Sequence, residues 1–222
     1  MLGFMTFRCV FIVIAVCLIT GCSAFGVRTE YEQPPYVVVE KLGQRIEVRR
    51  YAERLAAETV IDISDHDESS NSAFRTLFNY ISGNNRVAAD TARTPSGEIV
   101  EVPATIAMTV PVETSYVETK GTRMRFFLPS EFTLETAPRP TDGRVRLLQI
   151  TAQLEAVLRF NGSVSENSVA EKRKDLLRAL DQSSWRAVSG PVTYLYDPPW
   201  TIPFFRRNEI VIPVVLSMSQ EP

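Results

Sequence analysis

Twice along this chain, two stretches of alternating apolar and polar residues precede one segment of helical periodicity and two further alternating stretches, a pattern that few folds accommodate. In the first round the spacing predicts strands at Gln44–Tyr51 and Ala56–Ile63, a helix at Ala73–Ile81, and strands at Thr105–Val112 and Arg123–Leu128. In the second it predicts strands at Val145–Ile150 and Glu155–Phe160, a helix from about Ser165 to Asp181, and strands at Val192–Tyr196 and Glu209–Val215. A short strand signal at Val37–Val39 precedes both. Each helix comes with two hairpin-spaced strand pairs, which favours antiparallel pairing over a parallel α/β sheet. The expected fold is therefore α+β: a distorted antiparallel β-barrel of two pseudo-symmetric ββαββ halves flanked by two α-helices.

Between the strands, Asp65 to Ser72 is polar and offers several helix N-caps, and Asn84 to Gly97 reads as a loop. The first helix carries two apolar stripes, Ala73/Leu77/Tyr80/Ile81 and Phe74/Phe78/Ile81, together wider than one core-facing side needs. Either both are deeply buried, or one lines a groove; Arg75 between them fits poorly inside a core and speaks for the groove.

The N-terminus follows a different logic. Cys9–Thr20 is an apolar run of twelve residues after the single charge of Arg8, too short to span a bilayer, and it leads into Ile19-Thr20-Gly21-Cys22. That tetrapeptide resembles the lipobox of bacterial lipoproteins, which predicts cleavage after Gly21 and lipidation of Cys22. A plain secretory signal or an uncleaved anchor would share the apolar run, and translation could start at Met1 or Met5. The expected organisation is a signal peptide over 1–21, a lipidated tether over 22–35, one domain over 36–216 and a tail over 217–222. Cys9 and Cys17 leave with the leader and Cys22 is consumed by lipid, so no disulfide framework is possible. Loss of Arg8 takes the net charge from −2 to −3, which excludes an electrostatic nucleic-acid binder. Ser23 after the lipidated cysteine resembles the enterobacterial sorting signal for an outer-membrane lipoprotein facing the periplasm.

Seven segments then resemble, in order and spacing, the SOUL haem-binding family. They are Ile46-Glu-Val-Arg-Arg-Tyr51, Ala73-Phe-Arg-Thr-Leu-Phe78 with Ile81-Ser-Gly-Asn-Asn85, Ile106-Ala-Met-Thr-Val-Pro-Val112, Phe127-Leu-Pro-Ser-Glu-Phe-Thr-Leu134, Ala156-Val-Leu-Arg-Phe-Asn-Gly162, Tyr196-Asp-Pro-Pro-Trp200 and Arg206-Arg-Asn-Glu209. The resemblance implies a barrel of two halves and a haem or other tetrapyrrole in a shallow apolar cleft beside the first helix.

A tetrapyrrole needs a flat apolar wall and cations for its propionates. Phe74, Leu77, Phe78 and Ile81 are candidates for the wall, with Met108 from the next strand, and Arg75 matches a basic position that the family places near the propionates. The Pro-stiffened stretch Asp197–Arg207 either folds over the cleft as a flap carrying Trp200, Phe204 and Phe205, or packs as a barrel-closing loop. Where some family members have an axial histidine before the first-strand tyrosine, this chain has Arg50, which cannot bind iron. His66 falls in a polar loop, and Tyr51 and Met108 are of residue types that ligate haem elsewhere. The expectation is binding of haem, or of a similar apolar small molecule, without a protein axial ligand. No metal site is expected.

An enzyme is disfavoured: one histidine, no free thiol after Cys22 and no nucleophile-elbow, zinc or phosphate-loop motif leave little for catalysis. The acidic groups Glu131/Glu135 and Asp65/Asp67/Glu68 read as solvated, and Arg206 and Arg207 as braces for Glu209 or its neighbours. The alternative function is an envelope scaffold or protein-interaction module that has lost its ligand.

Overall fold

A computed structural model describes residues 28, 30–62, 66–93, 99–117 and 121–217. In chain order the elements are β1 (Tyr36–Lys41), β2 (Ile46–Tyr51), β3 (Arg54–Ile61), α1 (His66–Ile81), β4 (Asn85–Arg93), β5 (Ile99–Val102), β6 (Val112–Val117), β7 (Gly121–Phe127), β8 (Arg139–Pro140), β9 (Arg146–Ile150), β10 (Gln153–Phe160), α2 (Glu166–Asp181), β11 (Trp185–Ala187), β12 (Val192–Leu195) and β13 (Asn208–Leu216). One large antiparallel sheet curls into a half-barrel in the order β1-β2-β10-β13-β12-β6-β7-β3-β9, with β11 on β13. β4, β5 and β8 form a second, three-stranded sheet.

The α+β barrel of two halves is borne out in this half-barrel form. If β2, β3, β6 and β7 of the first half are matched to β9, β10, β12 and β13 of the second, the strand order from β2 to β9 reads the same from either end. The halves are interleaved: β2 pairs with β10, Val48 opposite Ala156, while β9 pairs with β3, Leu148 opposite Ala56.

Alternation assigns the two faces of the sheet. Leu55, Ala57, Ile61, Met124 and Phe126 pack under Ala73, Leu77, Tyr80 and Ile81 of α1. Val48, Ala156, Leu158, Ile210 and Ile212 pack under Leu176 and Leu180 of α2. Both helices thus cover one face. The opposite, inner face holds Ala56, Phe127, Val157, Tyr194 and Val211 together with rows of charge.

Four local expectations are corrected. Thr105–Val112 alternates in sequence but is not a strand before Val112, where β6 begins; it has one isolated bridge, Thr109 to Glu32, and Ile106 N–H donates to Ile81 O. The strand is β6, where the inward residues are Glu113 and Ser115, so its polar face is a buried one. Asn84–Gly97, expected as a loop, contains β4. The polar run before Ala73 belongs to α1, whose first turn carries Asp67 and Glu68, the charge sign that the positive end of a helix dipole favours. Ser69 there is fully buried and lies 2.7 Å from Thr122 Oγ1. His66, also expected in a loop, is the first residue of α1.

Asn85 locks the end of α1 to the segment that follows β5. Asn85 itself has no solvent exposure; its Nδ2 donates to Tyr80 O (2.6 Å) and Ala104 O (2.8 Å), and its Oδ1 accepts from Ala104 N–H (2.9 Å). Asn85→Ala should cost about 2 kcal/mol by orphaning buried backbone groups. Urea unfolding should show a lower midpoint at unchanged slope; an unchanged midpoint would mean that water replaces the amide.

Candidate functional site

The α1 residues expected to form an apolar wall divide between core and surface. Leu77 and Ile81 are buried against the sheet, whereas Phe74 and Phe78 are 42% and 47% exposed. A spacing of four residues stacks these two rings at 5.9 Å between centroids, with planes 14° apart. Phe74 also meets the edge of buried Phe126 at 5.3 Å, which fixes its position. Arg75 is exposed on the same helix, and Met108 is half-buried against the α1 core. The structure therefore brings Phe74 and Phe78 together at the surface and turns Leu77 and Ile81 away from them.

Trp200, Phe204 and Phe205 lie elsewhere. Their loop is tied to the end of β10 in the second half: Gly162 N–H donates to Pro203 O, and Asn161 Nδ2 donates to Phe204 O and Arg206 O. α1, by contrast, packs on β3 and β7. Trp200 and Phe204 are 70% and 76% exposed.

Sequence reasoning missed the inner face of the half-barrel. There a cleft of about 560 Å³ is lined by residues including Glu113, Ser115, Arg123, Arg125, Glu155 and Tyr194. A second, of about 620 Å³, lies among Pro34, Pro35, Leu55, Phe127, Phe132 and Leu134. Neither of these two is lined by an α1 residue.

Three charge clusters span the inner face. Arg49 and Arg207 both donate to Glu209, which also accepts from Tyr196 Oη at 2.8 Å. Arg54 donates to Glu155 at 2.6 Å beside Tyr194. Arg125 bridges Glu58 (2.8 Å) and Glu113 (2.9 Å), and Arg146 also donates to Glu58. Burial pushes the Glu113 carboxyl up, against the pull of Arg125 and Arg123. Burial also acts to raise Glu58, but Arg125 and Arg146 hold it below the usual carboxylate range. These carboxylates are matched to arginines, so the clusters brace the curled sheet. Each is one residue in two along a strand, a pattern that normally marks a solvated face, and for that reason alternation alone did not reveal them. Arg207 braces Glu209 as expected, while Arg206 instead donates to the carbonyls of Thr201 and Pro199. Glu131 and Glu135 are exposed, as expected.

Among the described residues, no group of three or more His, Cys, Asp or Glu is placed to hold a metal ion, and no helix is long and apolar enough to cross a membrane.

The architecture is a curled antiparallel half-barrel with two helices on one face and rows of paired charge on the other, and such a fold does not by itself fix a function. Residues 31–213 match the SOUL heme-binding protein family, and the chain belongs to that family. No curated protein matches the chain. Among solved structures it is similar to the EcmrR C-terminal domain (12% identity, 77% of this chain and 97% of that one, TM-score 0.48). It is also similar to a hydrolase from Listeria innocua (13% identity, 80% and 94%, TM-score 0.48) and to SAV2435 bound to tetraphenylphosphonium (10% identity, 77% and 93%, TM-score 0.40).

Proposed function

We propose that this chain is a non-catalytic, membrane-tethered binder of haem or a similar flat tetrapyrrole, held without a histidine on the iron. The observation that carries this reading is the stacked, half-exposed pair Phe74 and Phe78 on α1, an apolar edge left open to solvent beside exposed Arg75. Two rings with nearly parallel planes suit the face or rim of a planar ligand, and Arg75 supplies the charge a propionate requires. Bound haem would bring redox-active iron; the chain's own residues do no more than hold and orient the macrocycle. Arg50, at the position where some family members have a histidine, is exposed on β2. Cys22 would carry the lipid, and the domain would sit in the bacterial cell envelope, on the outer membrane facing the periplasm.

Titrating the chain from Cys22 onward, with Cys22→Ser, against hemin should give a saturable Soret shift near one equivalent. Each ring has about half its surface left to bury, roughly 1 kcal/mol, so Phe74→Ala with Phe78→Ala should weaken binding by about ten- to thirtyfold. Arg75→Glu should weaken it as well. A featureless linear response would sink the proposal, and a stoichiometric envelope protein recovered with no chromophore would favour the scaffold alternative.

A further inference from the structure

The loop from Pro198 to Phe205 is braced by hydrogen bonds and presents apolar side chains that are partly or mostly exposed. Trp200 is 70% exposed, Phe204 76%, Ile202 45% and Phe205 40%. No charged residue lies between Asp197 and Arg206. Four anchors hold the loop from below. Arg206 donates to the carbonyls of Pro199 and Thr201, Asn161 to those of Phe204 and Arg206, Gly162 N–H to that of Pro203, and Asp197 accepts Arg207 N–H at 2.7 Å. Residues 203–205 form a single 3-10 turn. A loop braced in this way holds its aromatics at the surface, where Phe204 and Phe205 meet edge to face at 5.5 Å, and several large apolar side chains exposed within one short loop normally mark a contact surface.

The chain enters the domain at the base of this loop. Arg28 donates from Nε (2.9 Å) and Nη2 (2.5 Å) to Asp197, and from Nη2 to Phe205 O (2.7 Å). From Cys22 to Arg28 a fully extended backbone reaches at most about 21 Å. A lipid on Cys22 thus keeps the bilayer within reach of the loop. Three arginines that touch the loop or its base are already engaged, Arg28 with Asp197, Arg206 with backbone carbonyls and Arg207 with Glu209, and the segment from Pro198 to Phe205 itself carries no charge. Tryptophan beside uncharged aromatic and aliphatic residues is the composition that settles at the boundary between acyl chains and headgroups.

We infer that the Pro198–Phe205 loop is the bilayer-facing surface of the domain, with Trp200, Ile202 and Phe204 entering the interfacial layer next to the lipidated terminus. This rests on the proposed lipidation of Cys22 and does not depend on the tetrapyrrole reading. The Arg28 and Asp197 contact makes the domain's orientation on the membrane fixed, with a second contact in addition to the acyl anchor.

The test separates the loop from the lipid. The chain from Cys22 onward is coupled through the Cys22 thiol to a maleimide lipid in phosphatidylcholine vesicles, with or without acyl-chain-brominated phosphatidylcholine, and tryptophan emission is recorded. Trp185, the other tryptophan, is buried. The difference between the parent and Trp200→Phe isolates the signal of Trp200. Expected are a shift to shorter wavelength and quenching by the brominated lipid, both lost in Trp200→Phe and strongly reduced in Phe204→Asp. Both substituted residues are mostly exposed, so both variants should keep the parent's urea midpoint, which checks that they fold. Unchanged, unquenched Trp200 emission on coupled protein would overturn the inference, and would do so too if the loop proved to bind another protein. Whether cells lipidate Cys22 is read separately, by the mass of the chain they make.

Discussion

Replacing Glu209 by alanine should lower the unfolding free energy by about 3 kcal/mol. Glu209 has no solvent exposure and accepts from Arg49, Arg207 and Tyr196, while the arginine side chains are only 4% and 12% exposed. Removing the carboxylate leaves two guanidinium groups close together with little access to water. A lost buried partner costs about 3–5 kcal/mol, and Arg49 keeps Glu47 at 2.9 Å, which places the loss near the lower bound. Glu209→Gln should lose nearly as much, because it keeps the volume but points an amide nitrogen at cations. Urea unfolding of the two variants checks the claim; if both lose less than about 1 kcal/mol, the arginines reach solvent and the cluster is not a brace.

Gly121→Ala should be similarly damaging, by a different cause. Gly121 starts β7 with φ at +73°, a conformation that costs an L-residue about 1–2 kcal/mol. A Cβ there would also stand 2.0 Å from Ile61 O and 2.9 Å from its carbonyl carbon, so the end of β3 would have to move away from β7. Overpacking of this kind adds about 1–3 kcal/mol. The expected total, about 2–5 kcal/mol, should appear in urea unfolding and as faster amide exchange at Ile61 and Thr122, which pair across the two strands. A variant with parent stability and parent exchange would show that the turn relaxes freely.

Strands whose outer face is apolar and packs under a helix were legible because alternation there has its usual meaning: Leu55, Ala57 and Ile61 in β3, Ala156 and Leu158 in β10, Ile210 and Ile212 in β13. β6 was not, because Glu113 and Ser115 point into the half-barrel and imitate a solvated side. The start of α1 escaped notice since its first turns are polar and one of their serines is buried on a threonine, a contact without a periodic signature. At the candidate site the two stripes on α1 were legible but their fates were not; a helix pattern shows that both Leu77 and Phe78 are apolar, and only the position of β7 decides which one remains in water. The motifs that carried the family resemblance prove rich in fasteners: Asn85 on Tyr80 and Ala104, Asn161 on the loop after Trp200, Asn208 Nδ2 on Gly162 O, and Glu209 under two arginines. They specify the scaffold at least as much as any ligand contact.

The interleaved strand order also governs how the polypeptide assembles. Ile46–Tyr51 can complete its pairing only when Gln153–Phe160 arrives, so the first half cannot mature alone during synthesis, and non-local pairings of this sort slow folding. A chain cut short before Gln153 would leave that strand with an open edge, the feature through which unfinished β-proteins stick to one another.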